Sequence, residues 1–286
     1  MSVNIFTTVS DSALCQKCPA LLAYKIHRGF RNAWRIGIKG NGAAYGTIFH
    51  KKIARVFFEA ASKPSGSLHR KIKRSLSGAS TLESVIREDI FLPLLAAKSE
   101  SFTSEQITAM AEGISVWVKA MSEFFALIPS LSEAPDKVMP TVFIKPEQKL
   151  QAVYEYPSGG GTLTVTGCYD ALLFNPDRGE ARLFEFKSYM KSDISVPLSQ
   201  SLIYSWLIRE HTGITPSVEI IYLSDIGKEP DVFGALSVDG MIEAGLPELF
   251  RSVFEVIALR NVPEFQRDLN LCRQCPFNAR CGKDWR

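Results

Sequence analysis

The chain has 286 residues, of which 46% are hydrophobic and 22% are charged, and its formal net charge is +3 at pH 7. This composition excludes a disordered or fibrous chain and fits a globular protein with a large core. No apolar run approaches the roughly 18–20 residues of a membrane span, and residues 1–15 lack the basic start and apolar stretch of a signal peptide. We therefore expect a single domain over residues 1–286 in a cytoplasmic protein that has no membrane partner.

Hydrophobic residues recur at helical spacing over much of the first half of the chain. The predicted helices of this half span residues 10–35, 43–62 and 103–128. The first begins at Ser10 or Ser12, which are suitable N-caps, and the third begins at a capping box formed by Thr103 and Gln106. We interpret residues 62–135 as a helical insertion.

The positive charge is concentrated in this half. Between Lys17 and Arg74 there are fourteen Lys and Arg residues and one acid, Glu59. Clustered cations bind polyanions by releasing counterions from a phosphate backbone, so the segment favours a nucleic-acid partner; a solvated basic face is the alternative. Residues 62–81, which include the densest basic run, are predicted to be a mobile loop because they are rich in Ser and Gly.

After residue 140 the pattern changes to the alternation that is expected of strands. The predicted strands span residues 141–145, 149–156, 162–174, 181–188, 217–224 and 232–238, and further helices span 197–211 and 240–260. Because strands and helices are interleaved here, the sequence predicts an α/β fold with a central mixed sheet and flanking helices.

An acid and a base share one face of a predicted strand. Glu185 and Lys187 lie two residues apart, and alternate side chains of a strand point the same way. Asp170, in the preceding strand, lies beside Glu185 if the two strands are neighbours. Two carboxylates in one pocket stay ionised most readily around a cation, and oxygen ligands suit Mg²⁺ or Mn²⁺. A buried ion-pair network is the alternative.

Four short motifs resemble, in order, those of the PD-(D/E)XK nuclease superfamily, in particular its RecB-like branch, which includes the Cas4 and AddB nuclease domains. The motifs are GTIFH (46–50), GCYD (167–170), EFK (185–187) and QSLIY (200–204). The resemblance covers residues 10–286 apart from the helical insertion. It implies a restriction-endonuclease-like α/β core and metal-dependent phosphodiester hydrolysis.

The same resemblance implies the roles of the site residues. These are His50, Asp170, Glu185, the carbonyl of Phe186, Lys187, Gln200 and Tyr204. The first four are implied to hold one or two Mg²⁺ or Mn²⁺ ions, and Lys187 to position the attacking hydroxide. Gln200 and Tyr204, one helical turn apart, are implied to line the DNA-facing side of the site. Glu147 is an additional candidate acid.

Most of the cysteines are located near the two ends of the chain. The six are Cys15, Cys18, Cys168, Cys272, Cys275 and Cys281. The spacing alone favours a zinc site built from Cys15, Cys18, Cys272 and Cys275. The resemblance instead implies a 4Fe–4S cluster that joins the first helix to the C-terminal segment, residues 268–286. Its ligands would be Cys18, Cys272, Cys275 and Cys281, with Cys15 in place of Cys18 left open. We interpret Cys168 as a core residue.

Together these features predict a metal-dependent DNA nuclease, an exonuclease on single strands or DNA ends. CRISPR adaptation, recombination and repair, or phage defence would be its setting, with a Cas1-like integrase or a helicase as partner. Three aromatic residues are interleaved with arginines: Tyr24, Phe30 and Trp34 with Arg28, Arg31 and Arg35. The aromatic rings either stack on bases or belong to the core. The alternative function is a non-cleaving, iron–sulfur or zinc DNA-binding or scaffolding subunit.

Overall fold

The seven strands of the described residues form two mixed sheets. The computed structural model describes residues 3–30, 46–63, 65–76, 79–97, 102–143, 148–156, 161–189, 194–224, 229–264 and 269–284. Its strands, in chain order, are β1 (Val3–Thr8), β2 (Lys149–Glu155), β3 (Gly161–Cys168), β4 (Ala171–Asn175), β5 (Glu180–Lys187), β6 (Ser217–Tyr222) and β7 (Asp231–Phe233). The sheet orders are β1-β3-β2 and β4-β5-β6-β7.

The chain passes from one sheet to the other at Tyr169 and Asp170, between β3 and β4. In the first sheet β3 is parallel to β1 and antiparallel to β2. In the second, β5 is antiparallel to β4 and parallel to β6, and β7 is antiparallel to β6. The strand predicted over residues 162–174 is therefore bent, and the mixed sheet that the sequence predicts is divided in two at Asp170.

Helices cover both sides of the strands. Those of the described residues are α1 (Val9–Lys17), α2 (Pro19–Arg28), α3 (Arg55–Ser62), α4 (Ser67–Ser75), α5 (Ala79–Ile86), α6 (Leu92–Ala97), α7 (Ser104–Ala126), α8 (Pro129–Glu133), α9 (Pro135–Val142), α10 (Ser195–Thr212), α11 (Ala235–Phe254), α12 (Leu269–Gln274) and α13 (Asn278–Asp284). Turns of π-helix, Phe49–Ala54, Arg87–Phe91 and Glu255–Leu259, adjoin α3, α6 and α11. No helix that the structure describes has the length and apolar character needed to cross a bilayer.

The N-terminal prediction was wrong in three respects. Residues 3–8 form a strand that the sequence analysis missed, and Thr8, rather than Ser10 or Ser12, caps α1 by accepting a hydrogen bond from Asp11 N–H. The predicted first helix also divides at Cys18, because Pro19 begins a new helix. Residues 31–35 lie outside the described residues.

Two further predictions were wrong and one was confirmed. Residues predicted as a mobile loop contain α4, whose buried His69, Ile72 and Ser75 recur every third residue. Of the strand predicted at 141–145, residues 141 and 142 end α9 and Phe143 makes a single bridge to Leu173, while residues 144 and 145 lie outside the described residues. The capping box of Thr103 and Gln106 is present at the start of α7.

Both faces of β5 are buried, and this positions the two polar residues near its end. Phe184 and Phe186 pack into the core on the side of α3 and α7. Leu183 packs on the opposite side, with residues of α10 and α11. Because side chains alternate along a strand, Glu185 and Lys187 project toward the α10 side.

Candidate active site

Glu185 and Lys187 form a buried ion pair at the end of β5. Lys187 Nζ lies 2.6 Å from Glu185 Oε1, and both residues are less than 10% exposed. Lys187 Nζ also donates a hydrogen bond of 2.6 Å to Gln200 Oε1 on α10. The structure therefore brings together the side chains of two motifs, with the ammonium group held between an acid and an amide.

Asp170 joins this group from the bend between the two sheets. Its Oδ2 accepts a hydrogen bond of 2.8 Å from the backbone N–H of Phe186, and its Oδ1 lies 3.0 Å from His50 Nδ1. His50 is carried by the π-helical turn that precedes α3, and such turns are frequent at functional sites. Four separate segments of the chain thus converge on one place.

Charge and burial oppose each other in this cluster. Burial, together with the charge of Asp170, raises the pKa of Glu185 to about 7 against the lowering effect of Lys187. Burial would raise the pKa of Asp170 too, but the His50 charge and hydrogen bond keep it below its ordinary value. Burial lowers the pKa of His50, but the charge and hydrogen bond of Asp170 and the charge of Glu185 together raise it above its ordinary value. Asp170 is therefore the stronger acid of the two carboxyl groups.

One carboxylate oxygen of the cluster is suited to a cation. Glu185 Oε2 is buried and has no hydrogen-bond partner among the described residues, and an unsatisfied buried oxygen of this kind calls for an ion or a donor. No group of three or more His, Cys, Asp or Glu side chains that could hold a metal is found in the described ranges. Mg²⁺ is commonly held by only one or two carboxylates, with waters and substrate phosphates, so the donor set of Asp170 and Glu185 fits such an ion.

Tyr204 lies one turn beyond Gln200 on the same helix. It is 8% exposed and belongs to the core beside α10. Burial raises the pKa of its phenol well above the ordinary value, and the charges of Glu185 and Asp170 add to this effect. A backbone hydrogen bond from Cys168 opposes the rise. Tyr204 therefore packs against the strand that leads to Asp170, and its phenol lies near enough to Glu185 and Asp170 to be affected by their charges.

The motif glycines permit close approaches that a side chain would prevent. A Cβ built on Gly167 would lie 2.7 Å from the ring of Tyr204 and would overlap a methyl group of Val9. A Cβ on Gly46 would overlap the hydroxyl of Ser188. Ser188 is a site neighbour that the sequence analysis missed, although it directly follows the E-x-K motif.

Four cysteines line one pocket formed by the two ends of the chain. The pocket is lined by Cys18, Cys272, Cys275 and Cys281, together with Ala20, Leu21, Tyr24, Leu271 and Asn278. Burial raises the pKa of the Cys18 thiol to about 11, while hydrogen bonds from the backbone of Leu21 and Ala20 lower it. Cys15 is not among the lining residues and packs in the core beside α10, where burial raises its pKa to about 12.

Several other predicted residues lie away from the site. Tyr24 stacks on Phe277, with ring centroids 3.9 Å apart, and Phe30 meets the same ring edge-on at 4.7 Å. These two aromatics therefore pack beside the cysteine pocket. Cys168 is exposed and is not the core residue that the sequence analysis predicted. The other predicted residues Trp34, Arg31, Arg35 and Glu147 lie outside the described residues.

Comparison with protein families identifies the class to which this fold and site belong. The family described as the PD-(D/E)XK nuclease superfamily matches residues 7–282. The chain therefore belongs to the PD-(D/E)XK nuclease superfamily. A nuclease function and a nucleic-acid substrate follow from this membership, whose other members are typically metal-dependent. No curated protein matches the chain.

Proposed function

We propose that this protein is a Mg²⁺- or Mn²⁺-dependent deoxyribonuclease whose active site contains Asp170, Glu185 and Lys187. The observation that carries the proposal is the convergence of these side chains with His50 in a superfamily member. A buried lysine beside two carboxylates is costly to form as a structural device, because each charge must be removed from water. A phosphate and a cation bound beside these side chains would compensate their charges.

The acidic and the basic side chains of this site have different proposed roles. Asp170, Glu185, His50 and the carbonyl of Phe186 are proposed to hold the cation, which, when bound, neutralises the phosphate and makes an attacking water more acidic. Lys187 keeps its proton because Glu185 raises its pKa against the opposing effect of burial, so it donates hydrogen bonds to the water and to the developing negative charge. Gln200 fixes the direction of the Lys187 ammonium group.

The cysteine pocket is proposed to hold a 4Fe–4S cluster, with zinc as the alternative. Four thiols line it and its other walls are mainly apolar. Four thiolates are the donor set of such a cluster, although no group of described side chains already has the arrangement of a metal site. The backbone N–H groups of Ala20 and Leu21 lower the pKa of the Cys18 thiol against the larger, raising effect of burial. The bound cluster would have a structural role, because it would link the first helices to residues 268–286.

The RecB-like branch, with its Cas4 and AddB members, is the proposed relationship within the superfamily. Residues 62–135 would be an insertion in a nuclease domain of residues 1–286. An exonuclease on single strands or DNA ends in the cytoplasm is the proposed activity, serving CRISPR adaptation, recombination and repair, or phage defence. A Cas1-like integrase or a helicase is the proposed partner. These assignments are supported by the motif order alone.

The decisive experiment incubates the purified protein with labelled single- and double-stranded DNA in Mn²⁺, Mg²⁺ or EDTA. We expect cleavage with a divalent ion and none in EDTA. Glu185→Gln and Asp170→Asn should each abolish cleavage and retain DNA binding, because they remove the proposed cation ligands without changing side-chain size. Glu155→Gln, an exposed acid on β2, is the control and should cleave normally. Binding without cleavage by the unmodified protein would favour the non-cleaving subunit instead.

A further inference from the structure

Helix α4 separates a buried face from a strongly basic one. Its sequence, SLHRKIKRS, contains four Lys and Arg residues and no acid. His69, Ile72 and Ser75 are buried, and His69 Nδ1 lies 3.0 Å from the carbonyl oxygen of Ala60 on α3. The buried face fixes the rotation of the helix, and this determines which cations face solvent.

Two of the four cations are neutralised by acids from neighbouring elements. Lys71 Nζ lies 2.6 Å from Asp89, and Lys73 Nζ lies 2.5 Å from Asp136. Arg70 and Arg74 are exposed and stand one helical turn apart. Within the ranges that the structure describes, neither arginine pairs with an acid.

The position of α4 relates these two arginines to the candidate active site. α4 packs against α3, and its Lys71 pairs with Asp89 of the π-helical turn Arg87–Phe91. That turn packs in its own right against the π-helical turn Phe49–Ala54. Immediately before α3 is the π-helical turn that carries His50, followed there by the exposed Lys51 and Lys52.

We propose that Arg70 and Arg74 form a phosphate-binding surface that holds the nucleic-acid backbone on the side of the π-helical turn Phe49–Ala54, which carries His50. Arginine presents a planar fork of donors that suits phosphate oxygens. Lys71 and Lys73 lie on the same helix but are already compensated by Asp89 and Asp136, so they add little to the attraction. The inference deepens the proposed nuclease function, on which its biological meaning rests.

The test is the salt dependence of DNA binding in EDTA, which measures phosphate contacts without cleavage. Each phosphate contact contributes about 0.7 to the slope of log affinity against log salt for single strands, and about 0.9 for duplexes. We expect the double variant Arg70→Gln/Arg74→Gln to bind more weakly and to lose about 1.4 of slope on single strands, or about 1.8 on duplexes.

The paired lysines of the same helix supply matched controls. Lys71→Gln/Asp89→Asn removes one cation and its partner, so the slope should stay unchanged. Asp89→Asn alone releases Lys71 and should strengthen binding. An unchanged slope in the arginine variant, or equal losses in the arginine and lysine–aspartate variants, would overturn the proposal. If the arginine variant loses slope as expected but the unmodified protein never cleaves DNA, only the proposed nuclease function is contradicted.

Discussion

Gly167 has no side chain, and this allows close packing next to the segment that carries Asp170. It precedes Asp170 by three positions, and it lies where Tyr204 of α10 and Val9 of α1 both contact β3. The aromatic ring and the strand can meet at this distance only because no Cβ intervenes. The motif glycine therefore sets the spacing between the first sheet and the helix that carries Gln200.

Replacing Gly167 by alanine should destabilise the fold. We expect Gly167→Ala to lower the free energy of unfolding by about 1–3 kcal/mol, because the new methyl group forces packed side chains apart. Gly240→Ala is the control: this glycine lies inside α11, and a Cβ added to it would meet open space, so alanine there should add about 0.5–1 kcal/mol. Urea unfolding of the two variants measures both values, and equal stabilities would contradict the packing explanation.

Lys187 is the residue whose substitution most directly tests how the negative charge that develops during cleavage is stabilised. Methionine has a similar length but no charge, so Lys187→Met should reduce the cleavage rate about 100- to 1000-fold, the usual effect of losing one charge-stabilising donor. Gln200→Ala should reduce the rate less, since it removes only the group that orients the ammonium. Single-turnover cleavage measures both rates. A fully active methionine variant would exclude Lys187 from the chemistry.

At the scale of elements, α7 supports the active site from behind. Trp117 of this helix is fully buried, and its ring meets Phe49 at a centroid distance of 5.7 Å and Phe186 at 6.1 Å. Phe49 directly precedes His50, and Phe186 lies between Glu185 and Lys187. The helix therefore fixes the two segments whose polar side chains point into the site.

The stability of α7 depends partly on its first residues. Thr103 accepts a hydrogen bond from Gln106 N–H, and Gln106 Oε1 accepts one from Thr103 N–H. Thr103→Ala should lower the free energy of unfolding by about 1 kcal/mol, because the first turn loses its cap. Ser104→Ala, one position along, makes no comparable bond among the described contacts and should leave stability nearly unchanged. Chemical unfolding distinguishes the two, and equal effects would exclude capping as the cause.

At the scale of the whole molecule, the pocket that contains Cys18 connects the start of the chain to its end. Cys18 lies between α1 and α2, while the other three cysteines belong to the last two helices and the turn between them. Tyr24 also hydrogen-bonds Asp284 at 3.0 Å. A bound metal group would therefore restrain a loop that includes nearly all of the sheets and helices, and the entropic gain grows slowly with loop length.

Cysteine substitutions test which of the thiols bind the proposed metal group. Protein purified without oxygen should contain iron and sulfide and absorb near about 400 nm. Cys18→Ser should lose this absorbance and lower the melting temperature, because Cys18 lines the pocket. Cys15→Ser and Cys168→Ser should keep the absorbance, since neither residue lines it. A colourless protein containing zinc would support the zinc alternative, and loss of colour in Cys15→Ser would contradict the assignment of Cys18.

The superfamily, the candidate site residues and much of the secondary structure could be predicted from the order of the amino acids alone. Short-range patterns carry this information: the E-x-K pair on one strand face, the capping box of α7 and the one-turn spacing of Gln200 and Tyr204. Each depends on residues within a few positions of one another, where backbone geometry alone dictates which side chains share a face. The resemblance then relates such local groups along the chain.

How these local groups meet depends on the packing of the folded chain. The bend at Asp170, the hydrogen bond from Phe186 N–H and the placement of Cys18 apart from Cys15 all depend on packing between segments that are distant in sequence. The same is true of α4, a basic segment that is helical because Ile72 and His69 are buried. Acids from two other elements pair with its lysines, so its arginines are the cations left without an acidic partner among the described residues. Local pattern could not reveal these outcomes, because burial and charge compensation are properties of neighbours that the linear sequence does not specify.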